Sequence, residues 1–368
     1  MACNGLGVLK TLGLEDHVSS QGSPIPRMMI WSGKGKCLGE VRNGARAEVG
    51  VPSINILRSR LHQVLREEVG RQGIKIAFGK KLQGLSTSEQ GVVATFADGT
   101  TAEGTFLIGC DGVYSRTRSL INPGAPTPQY TGLISTGGFA QHSSFAPTPD
   151  TMHFVFGKRA FFGYHISSSR ELYWFANYPQ KSAPARGDLE MIMNDEWQER
   201  MLDLFSEDLP LISEMIRATQ STIIGYPIYD ISTQPIWHQG PVVLVGDAIH
   251  AVAPSAGQGA SLAVEDAIVL AKCLEDIPDL SQAFATYEQL RRARVERMVK
   301  HGRNAGQGKV ITNPIGVWFR DLLTPFFLKL FASPAALDWV YSYTVDWEEK
   351  VQTRPLQYRE GKQVVLHK

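Results

Sequence analysis

At 368 residues the chain is too long for one small core and suits two closely joined domains. Hydrophobic residues at 43% and charged residues at 20% exclude disorder, collagen and coiled coil. Lys+Arg 37 against Asp+Glu 36, mixed along the chain, gives a net charge of +1 and no electrostatic footprint for nucleic acid.

In chain order, 4–14 reads as a short helix, with Leu6, Leu9 and Leu12 at helical spacing. Residues 28–41 form a hairpin turning at Gly33-Lys34-Gly35. Leu57, Leu61, Leu65 and Val69 share one face of a helix, or strand into helix, over 54–69. Strands are predicted at 75–78 and at 91–96, the second turning back at Asp98-Gly99. The apolar run 106–108 enters Gly109-Cys110-Asp111-Gly112 in the manner of a buried parallel strand.

From about residue 130 aromatic strands take over, at 153–156, 160–166 and 172–177, predicting an antiparallel sheet. Helical patterns follow at 189–205 and 209–218. A second buried strand, 241–245, precedes helices at 257–274 and 280–302. The first of these is lined with small residues (Ala260, Ala263, Ala267, Ala271) that suit close packing on a sheet. Pro325, Lys329, Pro334 and Asp338 interrupt 322–343, so no stretch reaches the ~20 apolar residues of a spanning helix. Phe326, Phe327, Leu330 and Phe331 allow a membrane-surface helix; packing over the core is the favoured reading. No leader pattern opens the chain. Cys3, Cys37, Cys110 and Cys273 are far apart with no CxxC pair, which argues against a disulfide or zinc scaffold and for a reducing cytosol.

Three segments carry chemistry. Val242 to Val245 delivers Gly246-Asp247-Ala248-Ile249-His250, then Pro254, Gly257-Gln258-Gly259-Ala260 and Glu265-Asp266. A carboxylate is thereby placed at a strand's carboxyl edge, where ligands of open α/β sheets bind. The glycine loop feeds a helix whose first amides favour negative charge. An Asp accepting from sugar-like hydroxyls beside such a helix suits a reduced flavin on its ribityl chain; a structural helix-capping Asp is the alternative. In the second segment, Asp111 either caps the next turn or aligns phosphates, and Gly112 permits a tight turn. Arg118 offers paired donors to a phosphate or holds Asp111. In the third, Arg58 either reaches a pyrophosphate or is solvated.

Gly109-Cys-Asp-Gly with Ser115 and Arg118, and Gly246-Asp-Ala-Ile-His250 through Gly257-Gln-Gly259, resemble the single-component FAD-dependent aromatic hydroxylases of the p-hydroxybenzoate/salicylate hydroxylase type. The resemblance runs over nearly the whole chain. It implies an α/β fold, a Rossmann-like FAD-binding domain (1–125 and 225–310) with an inserted antiparallel substrate domain (126–224) and a C-terminal helical segment (311–368). The 28–52 hairpin is expected to lean on the substrate domain. By resemblance, Asp247 binds the ribityl chain, Arg58 contacts the dinucleotide, Asp111-Gly112 serves FAD and the NAD(P)H pyrophosphate, and Pro254, Gly257, Gly259 and Ala260 lie beside the isoalloxazine ring. The implied reaction is hydroxylation or epoxidation of a small aromatic or polycyclic substrate, with NAD(P)H, O2 and a flavin C4a-hydroperoxide, and secondary metabolism is the expected setting.

The family opens with a strand, a GxGxxG turn and a helix. Gly5-x-Gly7 is a decoy, because Lys10 stands where the third glycine belongs. The chain is therefore expected to start roughly 30–40 residues, about one βαβ unit, into the family pattern, and to bind FAD more weakly than an upstream-extended chain. A flavin-free remnant acting as a binding protein and a related flavin reductase are the rival readings. A halogenase is disfavoured by the lack of a Trp-x-Trp-x-Ile-Pro stretch. On the substrate side, Arg159, Tyr164 and His165 are the polar groups expected to orient a phenol or carboxylate, Tyr164 and Arg159 being the catalytic candidates.

Overall fold

The computed structural model describes residues 1–44, 52–231, 234–307, 309, 311–331 and 334–351. Its largest sheet has seven strands, in the order Ile224–Asp230, Gln129–Ala140, Leu172–Pro179, Phe161–Ile166, Thr151–Phe156, Arg27–Ser32, Cys37–Arg42. The predicted aromatic strands pair antiparallel. The early hairpin joins their edge through a parallel pairing of Arg27–Ser32 with Thr151–Phe156, so the sheet is mixed.

Strand alternation gives this sheet two different faces. Phe162, Trp174, Ala176 and Ile166 point one way and pack against Trp197 and Met201 of helix Asn194–Leu204 and Ile212 and Met215 of helix Pro210–Arg217. Phe154, Phe156, Phe161 and Phe175 point the other way and line a cavity.

The second sheet is small. Val242–Leu244 is wholly buried, pairs parallel with Leu107–Gly109 and antiparallel with His238–Gln239. Helices Gly259–Asp276 and Leu280–Gln307 cover it, and the Tyr287 hydroxyl donates to the Leu244 carbonyl at 3.2 Å. The outer edge of Leu107–Gly109 meets no strand among the described residues, and Phe106 and Ile108 lie exposed rather than buried as expected. Residues 75–78 are irregular, with Ile74, Ile76 and Phe78 in solvent. Their apolar alternation is strand-like, but a strand also needs a neighbouring edge for its N–H and C=O groups, and none of the described strands lies beside it. A separate meander, Leu82–Ser88, Gly91–Phe96 and Thr101–Gly104, turns at Gly99 with φ +80°.

Gly5 sits inside helix Cys3–Thr11, where a Cβ would come within 3.0 Å of Ser261 Cα. It serves close helix packing, consistent with its dismissal as a phosphate turn. The C-terminal helices are Pro314–Phe331 and Pro334–Tyr341. Leu328 packs inward on Gly39, while Ile315, Trp318, Phe319, Leu322, Leu323, Phe326 and Leu330 face solvent. The expected packing over the core therefore holds for the inner side alone. No helix among the described residues is long and apolar enough to cross a membrane.

Trp197 is fully buried, and a Cβ on Gly225 would lie 2.2 Å from its Cζ2. We predict that Gly225→Ala destabilises the protein by about 1–3 kcal/mol, read as a lower denaturant midpoint. An unchanged midpoint would show that the indole can shift.

Candidate active site

The buried strand Val242–Leu244 runs into Gly246, whose φ of +60° turns the chain sharply and leaves Asp247 exposed at the carboxyl edge of the parallel strands. Crowding by neighbouring atoms raises the Asp247 pKa, against the opposing pull of His250 and Arg58. Arg58 is the exposed first residue of helix Arg58–Arg71, so the structure brings together two predicted groups nearly two hundred positions apart in sequence.

Asp111 accepts from the Ser115 hydroxyl at 2.5 Å and from the Thr117 amide and hydroxyl at 2.8 and 2.9 Å. It thus takes up a free amide in the first turn of helix Arg116–Ile121, whose N-cap is Ser115, and ties that turn back across Gly112, φ +79°. Arg118 is buried and donates to the carbonyls of Ala248 (2.6 Å) and Val113 (2.7 Å). Its guanidinium clamps the two loops at the carboxyl edge of the parallel strands together, and both bonds are made within the protein. Burial lowers its pKa, with Asp111 opposing.

Beneath these loops lies a buried ionic cluster. Asp266 accepts from the Gly246 amide at 3.0 Å, from His250 Nε2 and from Arg291 Nε at 2.7 Å. Glu265 accepts from Arg291 Nη2 at 2.7 Å, from Arg294 at 2.8 and 2.9 Å and from Asn4 Nδ2 at 2.7 Å. Asn4 also donates to Gln258 Oε1 at 2.9 Å, which pins the loop ahead of helix Gly259–Asp276. His250 is accordingly an organiser of the loop, as expected from its sequence position.

That loop, Pro254 to Gln258, lines a cavity of about 720 Å³. Phe154, Phe156, Phe161 and Phe175 line it from the sheet, and Thr324, Phe327 and Leu328 from the C-terminal helix. Gly257 has φ +62°, and a Cβ on Gly257 or Gly259 would meet nothing within 4 Å. Backbone at the head of the helix, starting with Gly259 and Ala260, is therefore open to a flat ligand, and its free amides favour negative charge there. An acceptor at Asp247, a cation at Arg58 and this unobstructed loop fit the ribityl chain and ring of a flavin.

The catalytic candidates lie elsewhere. Tyr164 stacks on His153 at 4.8 Å on the helix-covered face of the sheet, because it shares the strand phase of Phe162 and not of Phe161. Arg159 pairs with Asp203 at 3.0 Å and Ser206 at 3.1 Å at the surface. Neither lines the cavity. His165 approaches the cavity-lining Asn55 at 3.3 Å, and burial, with His153, lowers its pKa to about 4. Lys309, which carries no local sequence signal, does line the cavity: Nζ donates to Asn177 Oδ1 at 2.9 Å and stands 4.0 Å from the Phe161 ring centre. No group of acidic, His and Cys side chains able to hold a metal occurs among the described residues.

Removing Arg291 takes one cation from two buried carboxylates and leaves Arg294 and His250 to balance them, so Arg291→Met should cost about 3 kcal/mol in chemical denaturation. Burial opposes ionisation of Asp266, but His250 and Arg291 outweigh it and its pKa is lowered. A depressed folded pKa means that this stability is complete above the ordinary carboxylate range of about 4 and is lost as pH falls below it. Asp266→Asn should therefore be less stable at neutrality and show a flatter acid limb; an unchanged acid limb would remove Asp266 from that role.

Residues 1–302 match the family model for the FAD binding domain. The aurachin C monooxygenase/isomerase of Stigmatella aurantiaca is 32% identical over 325 residues, 88% of this chain and 82% of the relative. The 6-hydroxynicotinate 3-monooxygenase of Pseudomonas fluorescens is 30% identical over 319 residues, 80% of this chain and 77% of the relative. Klebsiella pneumoniae HpxO, solved with FAD and uric acid, shares the fold with a TM-score of 0.80 at 22% identity, over 92% of this chain and 86% of that one.

Proposed function

The chain belongs to the FAD binding domain family, and from that premise we propose that it is a monooxygenase placing one atom of O2 on a small aromatic or polycyclic substrate, with NAD(P)H as reductant and water as the second product. The observation that carries the reading is the single cavity shared by the aromatic sheet face and the glycine loop at the head of helix Gly259–Asp276. Two relatives named as monooxygenases support the reaction class.

Bound FAD supplies the two-electron chemistry and the activation of O2. The chain's own residues do the rest. Asp247 would accept from the ribityl hydroxyls, Arg58 would face the dinucleotide, and Gly112 would let backbone approach its phosphates. Pro254, Gly257, Gly259 and Ala260 form the backbone against the ring, where the helix amides stabilise negative charge. The four phenylalanines stack on a planar substrate and exclude water.

Two measurements test this. The visible spectrum after FAD titration should show bound flavin, and Asp247→Ala should weaken binding about tenfold, the loss of one good hydrogen-bonded anchor. NAD(P)H oxidation on substrate addition should be matched by O2 uptake and by a product heavier by one oxygen. A colourless protein that ignores FAD overturns the reading, and NAD(P)H oxidation without O2 uptake points to the reductase.

A further inference from the structure

The cavity contains a basic side chain with no acidic partner among the described residues that line it. Among the described residues lining it, Lys309 is the only Lys or Arg, and no Asp or Glu occurs. Lys309 Nζ meets one protein acceptor, Asn177 Oδ1 at 2.9 Å, and two ring faces, Phe161 at 4.0 Å and Phe175 at 6.0 Å. Asn177 is itself held in place: its Nδ2 donates to Ser135 Oγ and to the Ala176 carbonyl, both at 3.0 Å, which leaves Oδ1 turned to the lysine. An amide oxygen and two ring quadrupoles steady an ammonium but do not neutralise it.

Buried charges are ordinarily paired. The other titratable groups lining the cavity are His301, Tyr341 and the amino group of Met1, and none of them is a carboxylate. Burial alone lowers the lysine pKa to about 7, with no acidic neighbour to raise it. An acidic oxygen on a ligand would supply the partner that the lining lacks and hold the amine in its charged form.

We propose that Lys309 is the specificity-determining cation of this cavity, pairing with an acidic oxygen, a phenolate, enolate or carboxylate, on a planar aromatic substrate whose ring lies against Phe161 and Phe175. The proposal rests on the functional reading above and deepens it by naming the chemical handle. A neutral hydrocarbon of the same shape fills the same apolar space and leaves the ammonium unpaired, which the site disfavours.

Calorimetric titration of the full-length protein near neutrality, with para-nitrophenol and with nitrobenzene, separates the handle from the ring. Para-nitrophenol should bind the wild type more tightly than nitrobenzene by about tenfold or more, the worth of a charge-assisted hydrogen bond. Lys309→Met should abolish that preference while leaving nitrobenzene binding within about twofold, which also reports an intact cavity. Lys309→Arg, which keeps the charge, should retain it. Equal affinity of the wild type for both probes, or a preference that survives Lys309→Met, overturns the proposal and leaves the aromatic cavity standing. Failure of both probes to bind overturns the proposal together with the aromatic-substrate reading.

Discussion

Arg291 between Glu265 and Asp266 is the constraint on which the site depends. Two adjacent buried carboxylates are unfavourable unless cations meet both, and a single guanidinium spans them with Arg294 and His250 completing the balance. Each carboxylate then has acceptor capacity left for neutral donors. Asp266 takes the Gly246 amide and so fixes the turn that presents Asp247. Glu265 takes Asn4, whose second hydrogen bond positions Gln258 at the cavity. The cluster is a hub that converts buried charge into the placement of two loops. Such clusters are less a source of stability than of a single arrangement, because any alternative packing leaves a charge unmatched.

The seven-stranded sheet solves a second problem with the same economy. One face is closed by helices that bury Trp197 against it. The other is only partly covered, by the C-terminal helix, and becomes the cavity wall. Aromatic residues serve both faces, so composition does not distinguish core from site here; strand phase does. Phe161 and Phe162 are neighbours in sequence and belong to different halves of the protein's physics.

How much of this was legible in the sequence follows from range. The strings around Asp111 and Asp247 are contiguous, each a strand, a turn and a helix start, and local rules place them correctly at the sheet's carboxyl edge. Arg58, which the same strings drew in, lies near enough to Asp247 to act on its charge. What failed depends on distance or parity. Tyr164 stands on the right strand but the wrong face, since alternation names two faces without saying which one is open. Residues 75–78 alternate like a strand, yet pairing is a property of the neighbour. Arg291 lies 25 residues from Asp266 in an ordinary charged helix, and Lys309 lies 132 residues from Asn177. Neither carries a motif, because a buried cation's significance lies wholly in what surrounds it.

Arg118 has a mechanical meaning as well as a structural one. Its guanidinium joins carbonyls of two loops, reaching 130 residues along the chain to Ala248. Opening either loop alone would expose a buried arginine to unpaired donors, so the favourable opening is a joint one. The amides on both sides of the clamp should then belong to one cooperative unit in hydrogen exchange, slower than either loop's surface position suggests. Anything that restrains the loop at Ala248 would restrain the turn after Asp111 as well, through Arg118 alone.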